Sequence, residues 1–277
     1  MGCEALLNQK ANVFDKMGTY WAQIADANQT ARQLQLIKNT VAKEGWILDL
    51  SCGNGRHTIP LTNEGFNIVG VDISSELLKI AKQHKNPAKL IQADMQHLPF
   101  KNGVFAAALS MDNSFGYLPS ETQDLQSMVE LRKILKTDGV LVLDVFNREQ
   151  LTQKYGKQRL SARLKWLALP TLLKSPNRLS KRILFGFYHW RTYPSFFLLQ
   201  KRTVSRDGGW LCDFWVVCDK TDGRLLTFEH VARLYKLSRL QELLFEAGFR
   251  VNQVYGDYEK QDYSAGSSRL IVLAVAR

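Results

Sequence analysis

The sequence predicts an α/β protein in which a mostly parallel sheet is covered by helices, preceded by further helices and interrupted by a mixed insertion after its fifth strand. Two observations carry this. Short runs that are apolar on both faces alternate with stretches whose apolar residues recur at helical spacing, the rhythm of strand–helix–strand crossovers. The first apolar run also enters the small-residue turn Ser51-Cys52-Gly53-Asn54-Gly55, and about twenty residues later a second run ends at Asp72.

The elements follow in order. Residues 11–41 place Val13, Met17, Trp21, Ile24, Leu34 and Ile37 at helical spacing and predict one or two helices, ended by Gly45. Strand one spans 46–50, and a helix over 56–64 stops at Gly65. Strand two spans 67–71, after which Ser74 or Ser75 caps a helix through Ala81. A third apolar run, 88–93, ends at Asp94, and a fourth, 104–111, ends at Asp112-Asn113. A helix over 121–136 then reaches the turn Thr137-Asp138-Gly139 and the fifth strand, 140–145. There the rhythm breaks. Two strands, 211–218 and 224–231, flank a Thr221-Asp222-Gly223 turn before a helix at 238–247, closed by Gly248, and strands at 249–255 and 269–275. The expected organisation is a helical cap at 1–44, a core at 45–148 and 232–277, and a basic aromatic insertion at 149–231 placed as a substrate lid.

The 277 residues suffice for one large core with an elaboration, and 45% hydrophobic content is that of an ordinary globular protein. The start MGCEALLNQK has no basic lead into an apolar run, and no run approaches the roughly 20 apolar residues that span a bilayer, so a cytoplasmic address is expected. Four cysteines without a CxxC pair, three of them in apolar runs, read as buried thiols rather than a metal site. The net charge of +11 is local: residues 151–206 hold thirteen Lys or Arg and no Asp or Glu, and the rest of the chain is near neutral.

Right-handed crossovers bring the C-terminal ends of parallel strands to one side of a sheet, so Gly53, Asp72, Asp94 and Asp112 converge on one rim. Gly53 and Gly55 permit a tight turn, and the free amides beyond it can take a pyrophosphate or an amino-acid carboxylate. Asp72 stands where a carboxylate accepts hydrogen bonds from ribose hydroxyls, which points to a nucleoside-containing cofactor. Ser51, and Ile59 or Pro60, stand where a GxGxxG fingerprint requires glycine, and no GxxxxGK[ST] occurs. Both facts weigh against a dinucleotide or a Walker-type loop.

These residues resemble the class I S-adenosylmethionine-dependent methyltransferases. The resemblance rests on DLSCGNG, VDIS, QADMQHLPF, ALSMDNSFGYL, LKTDGVLVLDVFN and RLYKLSRLQELLFEAGF, and covers roughly 45–145 and 225–277. A bacterial and archaeal branch with CGxGRH, NSFGY and a terminal YGDY...SxR is more similar still. The resemblance implies a Rossmann-like fold with a seven-stranded, mostly parallel sheet, and S-adenosylmethionine as cofactor, released as S-adenosylhomocysteine. It implies that Asp49, Ser51, Gly53 and Gly55 surround the methionine moiety, that Asp72 takes the ribose, that Ile73, Asp94 and Met95 contact the adenine, and that Ser110 lies beside the methionyl group. Ser51 replaces the family's commonest glycine, which implies a turn without an obligate left-handed residue there.

Methyl transfer from a sulfonium aligns the acceptor lone pair, methyl carbon and sulfur, and a hydroxyl or protonated amine also needs a base within reach. Asp112, Tyr117 and His230 are the catalytic candidates, with a loop or capping role as the alternative for Asp112 and a plain strand role for His230. Arg56 is placed to meet the methionine carboxylate. Tyr20, Trp21, Asn113, Arg233, Tyr235, Tyr255 and Arg269 are candidates to hold the acceptor, the two later arginines also fitting a bracing role. No spacing of His and Cys signals a metal. The expected activity is methyl transfer to O or N of a small acceptor, apolar or acidic. The alternative is an RNA methyltransferase using the basic insertion on phosphates, and peripheral contact of residues 151–206 with an acidic membrane is a third use. The oligomeric state is left unassigned.

Overall fold

The computed structural model describes residues 11–24, 27–84, 88–156 and 189–277. Two helices, α1 (Ala11–Ile24) and α2 (Ala27–Lys38), lead into alternating strands and helices: β1 (Trp46–Leu50), α3 (Thr58–Asn63), β2 (Ile68–Asp72), α4 (Ser75–Ala81), β3 (Lys89–Gln92), β4 (Phe105–Ser110), α5 (Glu121–Ile134) and β5 (Leu135–Phe146). Then come α6 (Arg148–Tyr155), β6 (His189–Thr192), β7 (Phe196–Val204), β8 (Trp210–Asp219), β9 (Leu225–Arg233), α7 (Leu237–Glu246), β10 (Phe249–Tyr255) and β11 (Arg269–Ala276).

The main sheet has seven strands in the order β10-β11-β5-β4-β1-β2-β3, with β11 antiparallel to both of its neighbours and the other pairings parallel. Strand order therefore reverses between β1 and β4, and a ligand crevice is expected beyond the carboxyl ends of strands at such a switch point. The strands are apolar on both faces because both are covered. Leu48, Leu50, Val69 and Val71 pack with Met128 and Leu131 of α5 and Leu240 and Leu243 of α7, whereas Ile47, Ile68, Ala107 and Leu109 pack with Leu36 and Ile37 of α2 and Leu61 of α3. Each buried leucine or isoleucine contributes about 1.5–3 kcal/mol through burial.

A second sheet, β6-β7-β8-β9, is wholly antiparallel. Its face carries Phe196, Leu198, Trp215, Val217 and Phe228, which bury Met17 of α1. The expected strands 211–218 and 224–231 are β8 and β9, while β6 and β7 form inside the segment read only as basic and aromatic. In β7, Phe196, Leu198, Leu199 and Gln200 are buried, and the cations Lys201 and Arg202 follow at its partly covered end. The turn expected at Thr137-Asp138-Gly139 is absorbed into β5, where Asp138 has φ 61° and the pairing with β4 is irregular between Phe105 and Ala107. Among the described residues, Cys52 and Cys218 are free thiols, Cys52 buried and Cys218 partly exposed. No helix among the described residues is long and apolar enough to cross a membrane.

Candidate active site

The turn after β1 takes its shape from left-handed backbone. Gly53 (φ 56°) and Gly55 (φ 77°) adopt it at little cost, and a Cβ at Gly55 would meet Ile59 Cδ1 at 2.7 Å. Ser51 is also left-handed, with φ 59°, which corrects the expectation that serine marks an ordinary conformation there. Such a non-glycine position costs on the order of 1–2 kcal/mol and persists only where its surroundings impose it.

Two carboxylates hold this turn. Asp72, at the end of β2, accepts from the backbone amides of Gly53 (2.7 Å) and Ser74 (2.8 Å) and so ties the turn to the start of α4. Burial raises its pKa. Asp49, fully buried in β1, accepts from Thr58 Oγ1 at 2.6 Å, and burial pushes it up to about 6. Next to Asp72, Ile73 turns 43% of its surface to solvent. Asp94 follows β3 and caps its own loop by accepting from Gln96 N at 2.9 Å, while Met95 is half-buried against the core. Ser110, at the end of β4, shares a hydrogen bond with Ser114 Oγ at 2.8 Å.

A second cluster lies past β4. Asp112 (φ 54°) and Asn113 (φ 64°) are consecutive left-handed residues, clamped by Asp144 of β5: its carboxylate accepts from Asp112 N at 3.0 Å and its carbonyl from Asn113 N at 2.9 Å. Asp144 also receives Arg269 Nε (2.7 Å) and Tyr258 Oη (3.0 Å), and Arg269 donates to Asn113 Oδ1 at 3.1 Å. Both oxygens of Asp112 are engaged, one by Gln29 Nε2 at 2.9 Å and the other by Arg56 at 2.7 Å. Arg56 donates further to Thr30 (3.0 Å) and Gln33 (2.6 Å), and His57 Nε2 donates to Gln33 Oε1 at 2.9 Å. Burial, reinforced by Arg56, drives the pKa of His57 well down and keeps it neutral. This network closes α2 over the switch point.

The remaining predicted residues separate. Arg233 pairs with Asp124 and reaches the carbonyls of Leu118 (3.4 Å) and Pro119 (3.3 Å), and Tyr235 Oη donates to the same Asp124 at 2.7 Å. Both brace the loop ahead of α5. Tyr255 packs beside the α2-side core and pairs with Asp262. Tyr20 donates to Asp219 at 2.5 Å and so pins α1 to the second sheet.

Helix α1 meets both sheets. Asp15 accepts from Ser74 Oγ at 2.6 Å, and Ala22 O accepts from Asn54 Nδ2 at 3.3 Å, placing α1 along the turn after β1 and the start of α4. On its other side, Phe14 and Trp21 enter an aromatic group with Tyr117, Trp215 and His230. Phe14 lies 5.2 Å from Trp21 and 5.5 Å from Tyr117, and Trp21 stacks on Trp215 at 5.3 Å. His230 has Trp215 at 5.5 Å, Trp21 at 6.0 Å, Phe14 at 6.1 Å and Tyr117 at 6.2 Å. Three separate parts of the chain thus meet in one aromatic group.

Sequence reasoning missed Phe14, Gln33, Asp144, Asp213, Trp215 and Tyr258. One signal was readable: Asp144 and Asp213 are carboxylates inside apolar strand runs, and a charge there is retained only with partners.

Residues 47–139 match the family described as a methyltransferase domain. The chain is 25% identical to the YqeM protein of Bacillus subtilis (strain 168) over 241 residues, 86% of this chain and 87% of that one. It is 30% identical over 143 residues to the glycine/sarcosine N-methyltransferase of Parasynechococcus marenigrum (strain WH8102), 48% of this chain and 50% of the relative. In fold it is similar to the CcbJ methyltransferase of Streptomyces caelestis, with a TM-score of 0.72 over 96% of this chain and 98% of that one at 15% identity. Residues 47–139 are thus similar to a methyltransferase domain, and the sheet order of the whole chain is that of the methyltransferase structures it resembles.

Proposed function

We propose that the enzyme transfers a methyl group to an O or N atom of a small acceptor held between the rim and the second sheet. The aromatic group of Phe14, Trp21, Tyr117, Trp215 and His230 carries this, because it is apolar, adjoins the turn through α1, and contains one titratable base. The name of the glycine/sarcosine relative, an enzyme acting on nitrogen in small molecules, supports the same class.

The residues present fit the donor. Asp72 is the acceptor for ribose hydroxyls and Ile73 offers an exposed apolar face to adenine, with Asp94 and Met95 at its edge. Asp49, Ser51, Gly53, Gly55 and Ser110 surround the amino-acid end, where carboxylates suit an ammonium and a sulfonium. When bound, the donor supplies an activated methyl group; the chain's task is to orient the acceptor, keep water away and take a proton. Arg56 and Asp112 serve each other in this reading: an ion pair closing α2 on the rim replaces the roles of carboxylate anchor and free base. Arg269 and Asn113 fix the backbone of that loop, and Arg233, Tyr235 and Tyr255 brace the frame. His230 is then the base, with Tyr117 beside it.

The proposed lid role of residues 149–231 rests on the second sheet, and the most basic part, 157–188, lies outside the described residues, as does any membrane contact made there. Incubation with methyl-tritiated donor and separated metabolite, lipid and RNA pools tests the proposal. Label is expected in the metabolite pool, at a rate changing less than threefold between 50 and 300 mM salt. Label confined to RNA, lost steeply with salt, would overturn it.

A further inference from the structure

Asp213 of β8 is fully buried and belongs to neither the cofactor turn nor the Asp144 cluster. Four donors converge on it: Gln200 Nε2 (2.7 and 2.9 Å), Arg202 Nε and NH2 (2.9 and 2.6 Å) and Trp215 Nε1 (2.9 Å). Across the sheet its register partner is His230, whose Nε2 lies 3.9 Å from Asp213 Oδ2. That separation is a contact of charge rather than a hydrogen bond. The imidazole itself is 5% exposed and ringed by Phe14, Trp21, Tyr117 and Trp215.

Simple structural pairing of Arg202 with Asp213 does not explain the whole arrangement. Gln200 and Trp215 fix the orientation of a carboxylate that Arg202 already neutralises, and the fixed carboxylate faces the one histidine in the aromatic group. We propose that Asp213 is a positioning residue that, held in place by Gln200, Arg202 and Trp215, supports the positive charge of His230, so that the imidazole removes the acceptor proton during transfer. This rests on the small-acceptor reading above. In the step, the acceptor N–H or O–H proton moves to His230, the lone pair forms the bond to the methyl carbon, and the carbon–sulfur bond breaks with its electron pair returning to sulfur. The imidazolium then gives its proton to solvent. A carboxylate within about 4–6 Å of an imidazole favours its charged form through space.

The groups facing His230 set the expected sign. Asp213 favours the imidazolium; Arg202, behind it on β7, opposes; Tyr117 and the rings of α1 bring no charge at neutral pH. Asp213→Asn removes the favourable charge and leaves Arg202, so the pKa of His230 falls by about one unit. Histidine NMR with 13C-labelled imidazole reads this without any acceptor, the five histidines being assigned with His230→Gln. Where wild type labels an acceptor pool, the acid limb of kcat moves down in pH with that pKa, kcat falls at least tenfold, and the donor Kd stays within threefold. Asp213→Glu restores part of the rate. Should Asp213→Asn fail to fold, Gln200→Leu, which frees the carboxylate to turn, is expected to lower kcat with the donor Kd unchanged. A His230 pKa that does not move in Asp213→Asn, or full turnover in His230→Gln, would overturn the proposal. A wild type that labels no small acceptor while His230 still titrates against Asp213 would instead fault the acceptor class and leave the pairing standing.

Discussion

Asp49 shows how one buried carboxylate makes stability depend on pH. Its folded value of about 6 lies above the ordinary carboxylate range because burial disfavours its charge more than Thr58 and Arg56 restore it. A raised acid is protonated in the folded state where the unfolded chain has already ionised. Its cost to stability is therefore absent below about pH 4, grows as pH rises through the folded value, and is constant above it, at roughly 3 kcal/mol for a shift of about two units. Asp49→Asn keeps an acceptor for Thr58 without the charge. It should gain about 1–3 kcal/mol at pH 7.5 and nothing at pH 4, read from Tm measured across pH, while weakening donor binding at pH 7.5. A gain independent of pH would contradict the assignment. The left-handed trio Ser51, Asp112 and Asn113 belongs to the same scale: non-glycine residues held in costly backbone at the ends of β1 and β4 mark the rim by strain as well as by charge.

Helix α1 packs against both the rim of the main sheet and the second sheet. Gly18 breaks it with φ 28° and ψ −107°, and its Cα side lies against α4, with Glu76 Cβ 3.9 Å from where a Cβ would sit. Asp15 and Ala22 hold the turn side, while Met17, Tyr20 and Trp21 hold the second sheet. Tyr20 is the clearest polar pin: after the Thr221 hydroxyl, its own hydroxyl does most to hold the Asp219 carboxyl down to about 2. Tyr20→Phe should cost about 1–2 kcal/mol, a hydrogen bond to a charged partner at a partly covered site. The acceptor KM should rise several-fold while the donor Kd changes less than twofold. Steady-state kinetics beside donor titration checks this, and an equal loss of both would mean that α1 serves the donor rather than the acceptor.

At the scale of the whole molecule, the sheet was legible because its strands are apolar on both faces and end in turn chemistry: Gly45, Gly65 and Gly248 fall at element boundaries, and Ser74 caps α4 by accepting from Leu77 N at 3.2 Å. Asp72 and the glycine turn were readable from spacing alone. Partnerships were not. Arg233 and Tyr235 look like ligand-binding residues until Asp124, more than a hundred residues earlier, is brought to them, and Asp112 looks like a free base until Gln29 and Arg56 occupy it. β6 and β7 were hidden because the basic charge of 151–206 outweighs the burial pattern of their apolar faces.

The ends of β1, β2 and β4 meet at the switch point of the main sheet, where we propose that S-adenosylmethionine binds. Calorimetric titration of the donor into wild type and Asp72→Ala tests it most directly. One donor per chain is expected in wild type, with affinity at least tenfold weaker in the variant and Tm changed by only a few degrees. Equal affinity in a folded Asp72→Ala protein would contradict it.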